Sequence, residues 1–324
     1  MLNRLVVVLA GLLAFAALAA GAAAADYPNR TVTIVVGFPP GGASDIMARI
    51  LTAKLGSVLG QPFIVDNRPG AGGNVAGEFV AHAAPDGYTL LLGNNAILAT
   101  NVSLYSKIGF DPEKDFAPIS LIGTQANVLV VNNDVKAHSL AELIALAKAN
   151  PGKLNFASSG YGLAAHLAGE LFKAQAHIDI VHVPYKGSAP ALEDVIAGQD
   201  QMMFATTSGV MGFLQNGQVR ALAVTTLKRT PSLPDVPTMN EAGLPGFEAT
   251  TWHGLVAPAG TPPQIVAALN KAIAATLKDP DIEHKLAGLG IDIAPDTPEQ
   301  FAAYIKAEIP KWAAVIKTSG AKME

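Results

Sequence analysis

Between the apolar run Thr31–Val36 and the amphipathic stretch Ile46–Leu59 lies the turn Gly37-Phe38-Pro39-Pro40-Gly41-Gly42-Ala43-Ser44-Asp45. These residue types describe a strand end, a loop with bare backbone and the first turn of a helix. The leading N–H groups of a helix have no intrahelical partner and sit at the positive end of its dipole, so such a turn is a ready anion site. Gly41 and Gly42 remove side chains that would hold a ligand off the backbone. The loop contains no Lys or Arg, so neutral donors would have to meet the anion. Taken alone, an ordinary tight strand-to-helix turn reads the same way. Asp45 fits a favourable first-turn charge better than a general base.

Junctions rich in small and hydroxyl residues recur along the chain. They are Gly93-Asn94-Asn95, Ser158-Ser159-Gly160-Tyr161-Gly162, Tyr185–Ser188 and Thr206-Thr207-Ser208. In parallel α/β sheets such loops gather at the carboxyl ends of the strands, where ligands bind. Two lobes presenting these edges to each other would make a cleft.

Other chemistries lack their residues. No Gly-Lys-Ser/Thr occurs, and in Gly70-Ala71-Gly72-Gly73-Asn74-Val75 the third glycine of a dinucleotide loop is replaced by Val75. There is no Gly-x-Ser-x-Gly elbow, and the seven histidines form no His-x-x-x-His spacing. The absence of cysteine removes disulfides, thiolate metal sites and a thiol nucleophile. No cofactor or metal is expected. The enzyme alternative is a secreted hydrolase using Ser159 with His166, but these lie seven residues apart and no third orienting group is recognisable. His166 reads as a hydrogen-bonded structural residue, and Lys186 as a solvated loop cation. Trp252-His253 suits packing and cleft lining equally.

The elements that must position these loops alternate. Strand candidates are Thr31–Val36, Phe63–Val65, Thr89–Leu92, Val128–Val131, Leu154–Phe156, Ile180–Val183, Gln201–Phe204, Ala221–Thr225 and Gly254–Ala257, separated by helical stretches. That alternation marks an α/β fold with mainly parallel sheets. Ser139–Glu142 and Thr297–Gln300 read as capping boxes, and Pro151-Gly152 as a helix stop. Met47, Ile50, Leu51, Leu55 and Val58 form the apolar stripe of the first helix. Residues 1–25 read as a secretory signal: Arg4, the apolar run Leu5–Leu18, then Ala23-Ala24-Ala25 before Asp26. Without Arg4 the net charge changes from −4 to 21 − 26 = −5, and the pI is near 6.0, which offers no footprint for nucleic acid or anionic lipid. No other segment reaches the roughly 18 apolar residues of a membrane span. A chain of about 300 mature residues can bury sizeable cores, arranged as two domains.

The chain resembles the receptors of tripartite tricarboxylate transporters, the Bug family of periplasmic solute-binding proteins. The likeness runs in order through Tyr27-Pro28, Phe38–Gly42, Val65–Gly73, Pro85–Leu90, Ala157–Gly160, Val183–Pro190, Leu233–Thr238, Glu241–Gly243 and Ala257–Pro262. It implies a two-lobed Venus-flytrap fold, with lobe one at 26–125 and 250–324 and lobe two at 126–249. It also implies that a small carboxylate is held by backbone groups and bridging water at Phe38–Ser44 and Ser158–Gly162, with Asn94, Asn95, Tyr185 and Thr206–Ser208 nearby. The implied partners are that ligand and a membrane permease; the receptor is expected to be a monomer and not an enzyme. Many relatives in that family carry Asp or Asn shortly after the Met-Phe at Met203-Phe204, where this chain has Ala205-Thr206-Thr207-Ser208. A ligand ammonium would find no acid there. The expectation therefore favours a plain mono- or dicarboxylate, with or without hydroxyl or aromatic groups, over an amino acid.

Overall fold

A computed structural model of the chain describes residues 27–160 and 162–323; the expected signal peptide and Tyr161 lie outside them. The fold is α/β and two-lobed, with one sheet in each lobe. The six-stranded sheet has the order β11 (Ile291–Ile293), β4 (Phe116–Gln125), β10 (Thr251–Pro258), β3 (Thr89–Asn94), β1 (Val32–Val36), β2 (Phe63–Asn67). The five-stranded sheet has the order β7 (Val181–Pro184), β6 (Asn155–Ser158), β8 (Met202–Thr206), β5 (Asn127–Asn132), β9 (Val219–Val224). The helices used below are α1 (Ala43–Leu59), α2 (Asn74–Ala81), α3 (Asn101–Leu104), α4 (Leu140–Ala149), α5 (Ala164–Ala176), α6 (Ser188–Ile196), α7 (Thr207–Gln215), α8 (Pro263–Leu277), α9 (Pro280–Gly288) and α10 (Pro298–Ser319).

The sheets are less uniformly parallel than the alternation suggests. β1 pairs in parallel with β2 and β3, and β6 with β7 and β8. However, β10 runs antiparallel to β3 and β4, and β5 antiparallel to β8 and β9. Both β5 and β10 are entered as the chain arrives from the other lobe, so each runs against its new neighbours. Two strands escape the sequence pattern. β11 is three residues long, and β4 contains Pro118, Ser120 and Gly123, which read as breakers. The sheet accommodates them: the β4–β10 register shifts near Pro118 and again near Gly123. A Cβ on Gly123 would stand 2.6 Å from the Asp292 carbonyl oxygen, so the glycine lets β11 approach.

The first helix buries Met47, Leu51 and Leu55 over β1 and β2, while Val58 is exposed and Leu59 takes its place against the same core. Thr297 and Gln300 form a complete capping box. At α4 the box is half made, because Glu142 N–H donates to Ser139 but the Glu142 carboxylate accepts from His138 N–H instead. One apolar cluster runs unbroken from the six-stranded lobe through Trp312, Val315 and Ile316 of α10 to Phe156, Leu167 and Phe172. The C-terminal helix thus ties the lobes together. The crossing segments are knotted by polar groups as well. Thr225 Oγ1 lies 2.9 Å from Ala249 O and 3.1 Å from Asn127 O, within reach of either for its one proton, and Asn127 Nδ2 donates to Ala249 O at 2.9 Å. Buried Glu308 accepts from the indoles of Trp252, at the start of β10, and of Trp312.

Candidate functional site

The Phe38–Ser44 loop follows β1 and opens α1, whose cap position is Gly42, with no side-chain hydrogen bond to the free N–H groups. Pro39 to Ala43 are exposed. The loop is shaped from beneath by Asp45. Its carboxylate accepts from Gly41 N–H at 2.9 Å, from Arg49 Nε at 3.0 Å and from Asn67 Nδ2 at 3.0 Å, and Asn67 Nδ2 also donates to Phe38 O. The Arg49 hydrogen bond, with those from Gly41 and Asn67, holds the Asp45 carboxyl at about 2 against the cost of burial. Its negative charge is turned into the fold. Gly41 takes φ +84°, a left-handed conformation that favours glycine. Ser44 is buried, its Oγ 3.1 Å from Nε2 of His253 on β10. Burial pushes His253 down to about 4. Asn94 pairs with His253 across β3 and β10 and accepts from Ile97 N–H; Asn95 follows, also buried.

The second loop, after β6, has the same plan. α5 starts after Leu163, and no side chain bonds the leading N–H groups. Ser158 lies beneath, its Oγ 2.6 Å from His182 Nε2 and accepting from Gly160 N–H. Gly162 N–H donates to Nδ1 of His166 at 3.0 Å, which requires that nitrogen to be unprotonated. The two imidazoles stack at 4.0 Å. Burial, the neighbouring ring and Lys173 push His166 down to about 3; burial and Lys173 push His182 to about 4. Ser159 and Gly160 are half-buried. A Cβ on Gly162 would stand 2.7 Å from Leu104 of α3, so this loop reaches the opposite lobe.

The remaining expected residues are not all turned to the same space. Thr207 Oγ1 donates to Ala126 O at 3.0 Å. Ser208 is exposed beside Gly290 and accepts from Gln125 Nε2 at 3.3 Å. Tyr185 O–H lies 2.6 Å from the carboxylates of both Asp194 and Asp200, and burial followed by those bonds raises its pKa. Thr206, at the cap of α7, is half-buried and makes no cap bond. Trp252 is packed, and Lys186 is exposed. Arg49, Asn67 and His182 brace these loops although the sequence pattern gives none of them a role there. Arg49 was legible as the i,i+4 partner of Asp45; the other two join the loops only through the fold. His166 meets Gly162 N–H, and Ser158 rather than Ser159 meets a histidine, so the Ser159–His166 hydrolase pair is not assembled. A cavity of about 720 Å³ lies elsewhere, between the 226–232 segment and Gly290–Ala294, and includes none of the expected loops. Among the described residues no His, Cys, Asp or Glu cluster could hold a metal, and no helix is long and apolar enough to cross a membrane.

Among the helices that start without a side-chain cap bond, α1 and α5 lie in different lobes and each follows a strand with parallel neighbours on both sides. Such a pair can hold an anion without a charged side chain. The profile of the tripartite tricarboxylate transporter family receptor matches residues 47–321. Protein BugT of Bordetella pertussis is 40% identical over 324 residues, covering all of this chain and 99% of that protein. A solved structure of Rhodopseudomonas palustris Rpa4515 with adipate is 40% identical over 91% of this chain and 99% of that one, at a TM-score of 0.74. A TctC solute-binding protein from Polaromonas without ligand is 26% identical over 90% and 99%, at a TM-score of 0.82. The chain belongs to the tripartite tricarboxylate transporter receptor family, among the Bug-type receptors.

Proposed function

We propose that the protein is a periplasmic solute-binding protein, not an enzyme, that captures a small organic carboxylate between its lobes for a tripartite transporter. Residues 1–25 act as the cleavable export signal, the mature chain starts at Asp26, and the receptor works as a monomer with a membrane permease. Lobe one comprises 26–125 and 250–324, lobe two 126–249. The observation that carries the reading is the pair of uncapped helix starts at Gly42 and Leu163. The adipate bound by a relative with 40% identity supports the ligand class. Ligand contacts divided between two lobes would favour a closed arrangement over an open one, so binding should close the cleft.

A thermal-shift screen against organic acids tests the reading. A ligand at 100 times its Kd should stabilise the native state by about 2.7 kcal/mol. Gly42 provides a clean probe, since its φ of −78° suits any residue and a Cβ there would meet only Pro39 O, at 3.5 Å. Gly42→Val should therefore fold normally yet lose most binding by blocking approach to the backbone. Ser159→Ala should cost about 1–3 kcal/mol of binding, the value of a buried hydrogen bond to charge. Wild-type affinity in both variants would remove these loops from the site.

Neutral donors also set the salt response. Each helix end offers about 0.3–1 kcal/mol when exposed and about 2 when partly buried, so several donors must act together. A closed site is poorly screened. Affinity should change by less than about threefold between low salt and several hundred millimolar, and Lys186→Ala should retain most of it. A steep salt dependence would instead mean that an ion pair holds the ligand.

A further inference from the structure

We infer that the cavity between the 226–232 segment and residues 290–294 is a second binding site, and that it takes a small aliphatic amine as its ammonium ion. The site shares no residue with the anion loops, so the inference stands or falls apart from the carboxylate reading. At about 720 Å³ the cavity has the size of a small-molecule site. One wall is the segment that leaves β9 of the five-stranded sheet, and the other is β11 of the six-stranded sheet with the turn before it. Thr124, near the end of β4, and Thr250, just before β10, also line it. An occupant would therefore touch both sheets and both connections between them.

Three independent features of the lining set the chemistry. Thr226 is 8% exposed, and its Oγ1 has no hydrogen-bond partner among the described residues. A buried hydroxyl left that way is uncommon, and a bound polar group is one of its standard explanations. Glu248 and Asp292 are half-buried in the same lining. Burial pushes both carboxyls up, against Lys311 at Glu248 and a Thr230 hydrogen bond at Asp292, so their charge is under-compensated. Lys311 stands 3.8 Å from Glu248 but bonds more closely to Glu308. Of the cations in the lining, Arg229 is engaged by Glu241 at 2.9 Å and by the Pro234 carbonyl, and Lys228 is exposed. The charge that the interior lacks is positive. Among the described residues no group of carboxylates converges as a metal site would, which points to an organic cation. The third feature is Leu227, 50% exposed on the wall, which an alkyl chain would remove from water.

Titration calorimetry at neutral pH and matched ionic strength tests this with n-butylamine and 1,4-diaminobutane, against 1-butanol as the uncharged control. The better of the two amines should saturate the protein and bind at least tenfold tighter than the alcohol. Asp292→Asn should weaken that amine at least fivefold. The same variant should keep or raise the Tm of the ligand-free protein, because burial already disfavours the charged carboxyl. Leu227→Ser, at an exposed position, should weaken the amine as well, and it decides the matter if Asp292→Asn fails to fold. Amines that bind no tighter than 1-butanol, or amine binding that is unchanged in the folded variant, would overturn the inference. Either result leaves the carboxylate reading to its own screen.

Discussion

Acidification from pH 6 to pH 5 should cost the folded protein about 2 kcal/mol, mostly through two buried histidines. His166 and His253 are almost wholly buried, and in the fold they hold protons only below about 3 and about 4. In the unfolded chain each titrates near 6.5. Below that value the unfolded state binds protons that the folded state refuses, so stability falls as the pH drops. The loss begins near 6.5 and levels off around 3 to 4. Two such groups give a limiting slope of about 2.7 kcal/mol per pH unit. His182, half-buried and pushed down to about 4, acts in the same direction with a smaller, solvent-screened share. Asp45, held at about 2, adds a separate loss only below its ordinary 3.8. Urea unfolding at pH 7, 6 and 5 measures the slope. His166→Asn, whose amide oxygen can still accept from Gly162 N–H, should reduce it by about one proton. Flat stability between pH 7 and 5 would mean that these rings are readily protonated in the native state.

Glu308→Leu should destabilise the protein by about 3–5 kcal/mol, the cost of breaking a buried charged network by removing one partner. The carboxylate is 3% exposed and receives Trp252 Nε1 at 3.0 Å and Trp312 Nε1 at 2.8 Å, with Lys311 as its ion-pair partner. Leucine would leave two indole N–H groups buried without acceptors. Because Trp252 begins β10 and Trp312 lies on the helix shared by both lobes, the damage falls where the lobes are joined. Glu308→Gln keeps an acceptor and should cost less, about 1–3 kcal/mol. Denaturant titration distinguishes the two variants. A loss under 1 kcal/mol in Glu308→Leu would show that the carboxylate is merely tolerated there.

Strands with β-branched runs were legible because their signal is local, as at Val32–Val36 and Asn127–Asn132. The C-terminal helix announced itself through Thr297 and Gln300, which bond across three residues. β4 was hidden because its proline and glycine are tolerated only through shifts in pairing with β10, a partner 130 residues later in the chain. The loop at Phe38–Ser44 could be read as an anion site from its glycines and position, but its bracing by Asn67 could not.

The sequence alone determined the alternation of elements, the glycine-rich turns at strand ends and the lack of a cation in the first loop. Each follows from residues a few places apart, where backbone geometry and periodicity act. The tertiary structure decided which polar side chains remain for a ligand. Ser44 meets His253 across 209 residues, and Ser158 meets His182 across 24. A hydroxyl has one proton to donate, and its direction is set by the nearest acceptor in space, which no local pattern encodes. The sequence therefore suggested junctions rich in hydroxyls, whereas the fold gives Ser44, Ser158 and Thr207 partners within the protein.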